Sequence, residues 1–149
     1  MLRKIPYYKL LLFILLIVGC EEQVSEDSHN GIQWGNNLDS AFTIASNSNK
    51  IIMIDFMAEW CPPCQKMDKN TFSNTNIINK SNEFITVRID VDKQQNIAEQ
   101  YNGNARKYGG IGIPNILFLD KGKKNIRHIV GFHDVDQLLG IMDSVLMKL

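Results

Sequence analysis

Cysteine is scarce in this chain: among 149 residues there are three, Cys20, Cys61 and Cys64. Three thiols cannot build a disulfide-stapled scaffold, and they cannot complete a four-ligand zinc site without other partners. Net charge is also missing, with 16 basic residues against 16 acidic ones. No basic cluster with interleaved aromatics occurs, so nucleic-acid binding has no support. No apolar run approaches the roughly 20 residues that cross a bilayer comfortably, and no repeat of solenoid length is found. What remains, 44% hydrophobic, suits one compact domain plus an appendage.

The appendage is N-terminal. Arg3, Lys4 and Lys9 precede the apolar run Leu10–Val18, which is followed by Gly19 and Cys20. A basic start and a short apolar core are the marks of an export signal, here residues 1–19. Ile17-Val18-Gly19-Cys20 resembles a bacterial lipoprotein box, which makes Cys20 the expected lipid-attachment residue and the mature N-terminus. An ordinary cleaved signal and an uncleaved anchor share the same pattern, and all three place the domain outside the cytoplasm. Setting the three early basic residues aside leaves 13 basic against 16 acidic, a net of −3. Residues 20–31, with Glu21, Glu22, Glu26 and Asp27, have little to bury and are expected to be a flexible acidic tether. A coil of that length spans about 15–20 Å.

The remaining two cysteines lie in Trp60-Cys61-Pro62-Pro63-Cys64, just after the apolar run Ile51–Phe56 that contains Asp55. Cys61 is expected at a helix N-cap, with Pro62 and Pro63 in the first turn, where a missing N–H costs nothing. Cys64 then falls on the same helix face, within disulfide reach. The positive end of the helix favours a thiolate at Cys61. An exposed leading cysteine and a shielded second one is the arrangement that thiol–disulfide exchange requires.

Periodicity places a helix over Ile32–Ala45, a buried strand over Ile51–Met57, a helix from Pro62 to about Lys69 and a strand over Phe84–Val91. A short helix over Ile97–Tyr101 follows, and Gly109-Gly110 then breaks the chain. A strand is expected over Asn115–Leu119, a hairpin turn at Lys121-Gly122-Lys123, a strand over Ile126–Val130 and an amphipathic helix over Val135–Leu149. The Asn-rich stretch Asn74–Asn79 is expected to be loop. The order predicts an α/β fold, a mixed sheet flanked by helices on both faces, over residues 32–149.

Taken together, Asp55-Phe56, Ala58-Glu59-Trp60-Cys61, Pro63-Cys64, Ala105, Lys107-Tyr108-Gly109 and Gly112-Ile113-Pro114 resemble the thioredoxin fold family. The segments Thr71-Phe72-Ser73, Ile116-Leu117-Phe118 with Asp120, and Gly131-Phe132 with Asp134 are more similar to the soluble C-terminal domain of the membrane disulfide reductase DsbD. Departures are Pro62-Pro63 in place of Gly-Pro, and Met57 where thioredoxin carries an aromatic residue. The membrane-spanning part of DsbD has no counterpart in these residues, so reducing equivalents are expected from a separate membrane electron donor of the DsbD/CcdA type.

The resemblance implies a Cys61/Cys64 dithiol that reduces disulfides of exported proteins, with no other cofactor and no metal. Haem-attachment cysteines in cytochrome c maturation are one candidate substrate, and the domain is expected to act as a monomer. It implies that Asp55 lies beneath Cys64 as its proton acceptor, the other reading being a solvated strand-end carboxylate. Asp68, four residues past Cys64, is a candidate to tune a thiol pKa, as are Pro62 and Pro63; an ordinary helix charge is the alternative for Asp68. The resemblance makes Ile113-Pro114 a cis peptide that pairs with substrate beside Trp60. His128 and His133 show no ligand spacing and are expected at the surface. An oxidase or isomerase of exported proteins, and a non-catalytic metal-binding module, are the competing functions.

Overall fold

In a computed structural model the described residues are 31–148. The signal run 1–19, the lipid candidate Cys20 and all of the tether except Gly31 therefore lie outside the described residues.

Four strands form one mixed sheet in the order β2-β1-β3-β4. β1 (Ile52–Met57) is central, parallel to β2 (Ile85–Asp90) and antiparallel to β3 (Asn115–Leu119), which pairs antiparallel with β4 (Asn125–Val130). Successive strand side chains point to opposite faces, and the core divides accordingly. Ile52, Ile54 and Phe56 join Val87, Ile89, Leu117 and Leu119 in one apolar cluster, covered by α1 (Leu38–Ser48) and α4 (Gln95–Gln100). Met53, Ile116 and Phe118 join a second cluster on the other face. That face is covered by α2 (Pro62–Met67), the π turn Asp68–Phe72, α3 (Thr75–Ser81) and α5 (Val135–Leu146). The expected mixed sheet flanked by helices is the observed one.

Several elements differ from the sequence reading. Residues 32–36 are not helical, and Gly35 bridges in parallel to Val87, so this segment covers part of the outer edge of β2. The helix begins only after Asn37, whose side chain accepts a hydrogen bond from the Ser40 amide at 2.9 Å; a competent cap overrides the apolar periodicity upstream of it. The Asn-rich stretch 74–79 is largely helix. Asn74 caps it by accepting from the Asn76 amide at 2.9 Å, and Ile77 is fully buried beneath it. The helix after the cysteines ends at Met67 and widens into the π turn, which turns Thr71 and Phe72 inward. Thr71 Oγ1 then donates to the His133 carbonyl at 2.7 Å, tying this turn to the start of α5.

Opposite the cysteines, the loop entering β3 is held by one buried side chain. Asn115 donates through Nδ2 to the carbonyls of Gly103 (2.9 Å) and Gly112 (2.7 Å), and its Oδ1 pairs with His128 Nε2 at 2.9 Å. His128 is thus half-buried rather than superficial, and burial holds its pKa below the ordinary value. The loop carries a cis peptide at Ile113-Pro114.

Gly103 passes so close to the sheet that a β-carbon there would stand 2.3 Å from Cδ1 of Phe56. Gly103→Ala is expected to cost about 1–3 kcal/mol through overpacking, read as a lower urea midpoint. Gly31→Ala, with open space around the position, is expected to change the midpoint negligibly; equal stabilities for both variants would contradict this packing.

Candidate active site

Cys61 leaves the strand-to-helix turn with extended dihedrals (φ −87°, ψ 105°) and caps α2. Pro62 and Pro63 fill the first two helical positions, so neither offers an N–H to the sulfur. The first amide that can reach it is that of Cys64, which donates to Cys61 Sγ at 3.3 Å. Cys61 and Cys64 are joined as a disulfide with their Cα atoms 5.3 Å apart.

The expectation of an exposed leading sulfur is not met in this oxidised form. Cys61 is 2% exposed and Cys64 3%. Both belong to the apolar cluster that contains Ile54 and Phe56, and Ile113 of the cis-proline loop packs against that cluster. Apolar neighbours cover the bridge as they would any small hydrophobic group.

Trp60 is exposed, but it is fixed. Its indole Nε1 donates to Asp92 Oδ2 at 2.5 Å, and the Tyr108 hydroxyl donates to the other oxygen of the same carboxylate. Lys107 sits 3.2 Å from Asp92 and 3.9 Å above the Trp60 ring. The Tyr108 hydrogen bond, helped by Trp60 and Lys107, outweighs desolvation and holds Asp92 below the ordinary carboxylate pKa. A groove of about 330 Å³ runs beside this tether, lined by Trp60, Arg106, Lys107, Ile113, Val130 and Gly131. Trp60 and Ile113 thus line one depression, while Pro114 is buried and does not line it. Asp92 was not marked by the sequence reading, because nothing in a turn of mixed charge singles out the carboxylate that will meet an indole thirty-two residues earlier.

Asp55 is buried on β1, 1% exposed, on the sheet face covered by α2 and the π turn. It is not solvated and it is not unpaired: Arg88 Nε donates to its Oδ2 at 2.8 Å. The same guanidinium donates through its second terminal nitrogen to Asp68 Oδ1 at 2.5 Å. Asp68, whose amide bonds the Cys64 carbonyl, therefore points its carboxylate at Arg88; it does not act as a lone charge on a helix surface. Asp55 Oδ1 is buried without a hydrogen-bond partner. Desolvation raises the Asp55 pKa to about 6, against the lowering effect of Arg88, with Asp68 raising it a little further. Glu59, by contrast, is a surface charge paired with Lys93 at 2.6 Å.

Arg88 is the second residue that the sequence reading passed over. It directly faces Asp55 in the β1–β2 register. The available signal was a basic residue within the apolar alternation of β2, but strand register is invisible until the strands are paired. Among the described residues no group of three or more histidine, cysteine or acidic side chains is placed to hold a metal ion, and no helix is long and apolar enough to cross a membrane.

Comparison with known proteins places this geometry in context. The thioredoxin-like family profile matches residues 33–121. The thiol:disulfide interchange protein DsbD of Campylobacter jejuni is 33% identical over 104 residues, covering 70% of this chain and 18% of that protein. The DsbD of Photorhabdus laumondii is 31% identical over 114 residues, covering 75% and 19%. This chain therefore spans less than a fifth of the length of those relatives. Among solved structures, the C-terminal domain of Neisseria meningitidis DsbD in its oxidised form superposes with a TM-score of 0.60 at 17% identity, covering 74% of this chain and 97% of that one. The DsbH oxidoreductase superposes at 0.65 and 18% identity, covering 78% and 85%. At such identities the two superpositions speak for the fold.

The buried carboxyl has a thermodynamic signature. Its pKa is raised on folding, so the folded chain binds this proton more tightly than the unfolded chain does. The stability that follows is complete below the unfolded value of 3.8 and is lost as pH rises through about 6. Between about pH 4 and pH 7 the loss amounts to roughly 2 kcal/mol. Urea unfolding of the oxidised protein is expected to show this decline, and Asp55→Asn to remove it. Parallel pH profiles for the two proteins would contradict the assignment.

Proposed function

The chain belongs to the thioredoxin-like family, and we propose that it is an extracytoplasmic thiol–disulfide oxidoreductase that reduces disulfides of exported proteins. The observation that carries this reading is the Cys61–Cys64 disulfide at the N-cap of α2, set beside a cis-proline loop and an apolar groove. A two-residue spacer closes too small a loop for the bond to add much stability, which favours a chemical role over a structural one.

In the reductive direction the Cys61 thiolate attacks one sulfur of a substrate disulfide, and the other substrate sulfur leaves as a thiolate. Cys64 gives up its proton to Asp55, and its sulfur attacks Cys61 Sγ. The Cys61–substrate bond breaks, the second substrate sulfur leaves reduced, and the Cys61–Cys64 bond has formed. Two electrons have passed to the substrate. A carboxyl with a pKa near 6 is matched to that proton, because it is mostly ionised at neutral pH yet basic enough to be protonated transiently. Trp60, Ile113 and Pro114 form the substrate contact, with apolar side chains entering the groove and the loop backbone meeting an extended segment.

Re-reduction of the pair falls to a membrane electron donor of the DsbD/CcdA type. Cys20 carries the lipid that keeps the domain at the envelope membrane, and residues 20–31 give it reach. The relatedness to DsbD supports this arrangement, as does the export-type N-terminus. Substrates within this class include apocytochrome haem-attachment cysteines and partner oxidoreductases.

Replacing Cys64 with Ala tests the mechanism directly. The variant is expected to accumulate exported proteins covalently attached to Cys61, released by dithiothreitol, while a Cys61→Ser, Cys64→Ala double variant traps none. The parent chain is expected to reduce insulin disulfides in the presence of dithiothreitol. Failure to trap, together with no acceleration of insulin reduction, would refute the reductase reading; efficient refolding of reduced ribonuclease instead would reassign the chain as an oxidase or isomerase.

A further inference from the structure

Four lysines gather at the end of the sheet opposite the cysteines. β1 starts just after Lys50 and ends just before Cys61, and its six residues, at about 3.3 Å each, hold the two ends roughly 20 Å apart. The β3–β4 turn lies at the Lys50 end, because Leu119 pairs with both Ile52 and Asn125. Lys121 and Lys124 belong to that turn, and Lys148, just past α5, donates to the Ile126 carbonyl at 3.5 Å. With Lys50 they line an open depression of about 400 Å³, in which Asp120 is the one acidic side chain among the described residues.

Among the described residues these charges are not cancelled. Lys80, Lys93 and Lys107 elsewhere each meet carboxylates at 2.6–3.2 Å. Lys50 instead donates to the Asn82 carbonyl at 2.7 Å and Lys121 to Asn49 Oδ1 at 2.7 Å, neutral oxygens that hold the ammonium and leave its charge. Asp120 is spent on its own turn, where Oδ1 accepts from the amides of Gly122 and Lys124. Residues 31–148 carry 13 basic and 12 acidic side chains; with the four lysines and Asp120 set aside, nine basic face eleven acidic. The positive excess of the domain therefore sits at this end. The chain also enters here. Thr86 at the start of β2 bonds the Gln33 carbonyl at 2.6 Å, and Ile32 packs in one cluster with Ile51 and Phe84. Thirty residues precede Gly31, and they join the domain from the lysine end.

Building on the lipid attachment proposed above, we propose that the lysine end is a docking surface for an anionic membrane, seating the domain with Cys61, Cys64 and the Trp60 groove turned outward. Three observations meet in this: a concave patch of uncompensated lysines, entry of the chain beside it, and the disulfide at the opposite end. A linker alone leaves the domain free to turn its reactive end into the headgroups. Lysine suits the task, since a compact mobile ammonium follows phosphodiester charge without needing a fixed fork. Each lysine near an anionic surface adds about fivefold in affinity, so four set an orientation and still release. Residues 20–31 reach about 15–20 Å, which keeps the headgroups at high effective concentration. The rival occupant is the chain's own acidic stretch, Glu21, Glu22, Glu26 and Asp27, which the test separates.

Lysine acetylation rates, resolved residue by residue by mass spectrometry, read the seat directly. The unacylated full-length chain is labelled alone, on phosphatidylcholine vesicles, and on vesicles mixed two to one with phosphatidylglycerol. The apolar run Leu10–Val18 is expected to hold it on either vesicle in place of the lipid, and is common to every variant. On the mixed vesicles Lys50, Lys121, Lys124 and Lys148 are expected to label about fivefold more slowly than on neutral ones, with Lys66 and Lys107 unchanged. Salt at about 1 M, where screening acts beyond roughly 3 Å, is expected to restore the rates. The double variant Lys121→Glu, Lys124→Glu is expected to remove protection from Lys50 and Lys148, whereas Lys66→Glu with Lys69→Glu leaves it intact. All four positions are at the surface, so these variants keep the core. Equal rates on both vesicles, protection spread evenly over all lysines, or protection at Lys66 and Lys107 instead would overturn the docking surface. Protection already present without vesicles, and removed by neutral amides at Glu21, Glu22, Glu26 and Asp27, would overturn it in favour of the acidic stretch. No readout uses disulfide exchange or acylation. A chain that docks as stated but reduces nothing would therefore uphold the surface and discard the reductase reading alone.

Discussion

A carboxylate cannot be sealed beneath a β-sheet as a bare ion, because desolvation alone costs several kcal/mol. Asp55 is sealed there, and the structure answers with the guanidinium of Arg88 at 2.8 Å. That single ion pair joins the two parallel strands, β1 and β2, directly across their register. Through Asp68 it reaches the end of the short helix that begins at the disulfide. The sheet centre and the end of the cysteine helix are therefore joined by one network of two carboxylates and a guanidinium. The balance between burial and the cation leaves a carboxyl whose pKa is raised to about 6.

The surroundings serve that assembly in two ways. Trp34 and Phe72 pack their rings against the guanidinium at 4.6 and 5.4 Å and partly cover it. On the other side of the cysteines, Asp92 gathers Trp60, Tyr108 and Lys107 into one group, so the indole that borders the groove is held in a fixed pose at little further entropic cost on binding. Asn115 does the equivalent work for the cis-proline loop by satisfying two carbonyls from its buried amide. A groove with fixed walls is the kind of surface on which binding holds a partner in one orientation.

How much of this was legible from residues alone follows physical lines. The cysteine helix was, because proline at N1 and N2 and the three-residue spacing are local facts. So were β1 and β3, whose short apolar runs, broken in β1 only by Asp55, belong in the sheet interior. The segment 32–45 misled, since its apolar spacing resembled a helix while Gly35 bridged to Val87 instead and the real cap was Asn37. The helix Thr75–Ser81 was hidden by asparagines, one of which turned out to be its cap. Asp55 and Asp68 were singled out, but as separate groups. The residue that unites them, Arg88, depends on strand register, and Asp92 depends on where a turn comes to lie beside Trp60. Long-range pairings of this kind are set by tertiary packing rather than by any local pattern.

The central claim is that the sulfurs of Cys61 and Cys64 cycle between bonded and free forms at potentials suited to reduction. Equilibrating the purified full-length chain with graded glutathione ratios, then counting free thiols by alkylation and mass, measures this directly. The account predicts one cooperative two-electron transition with a midpoint between about −270 and −180 mV, on the reducing side of the oxidant range. A pair that stays bonded, or stays free, at every accessible ratio would contradict it, as would a midpoint near −120 mV, where the chain would take electrons from its partners rather than supply them.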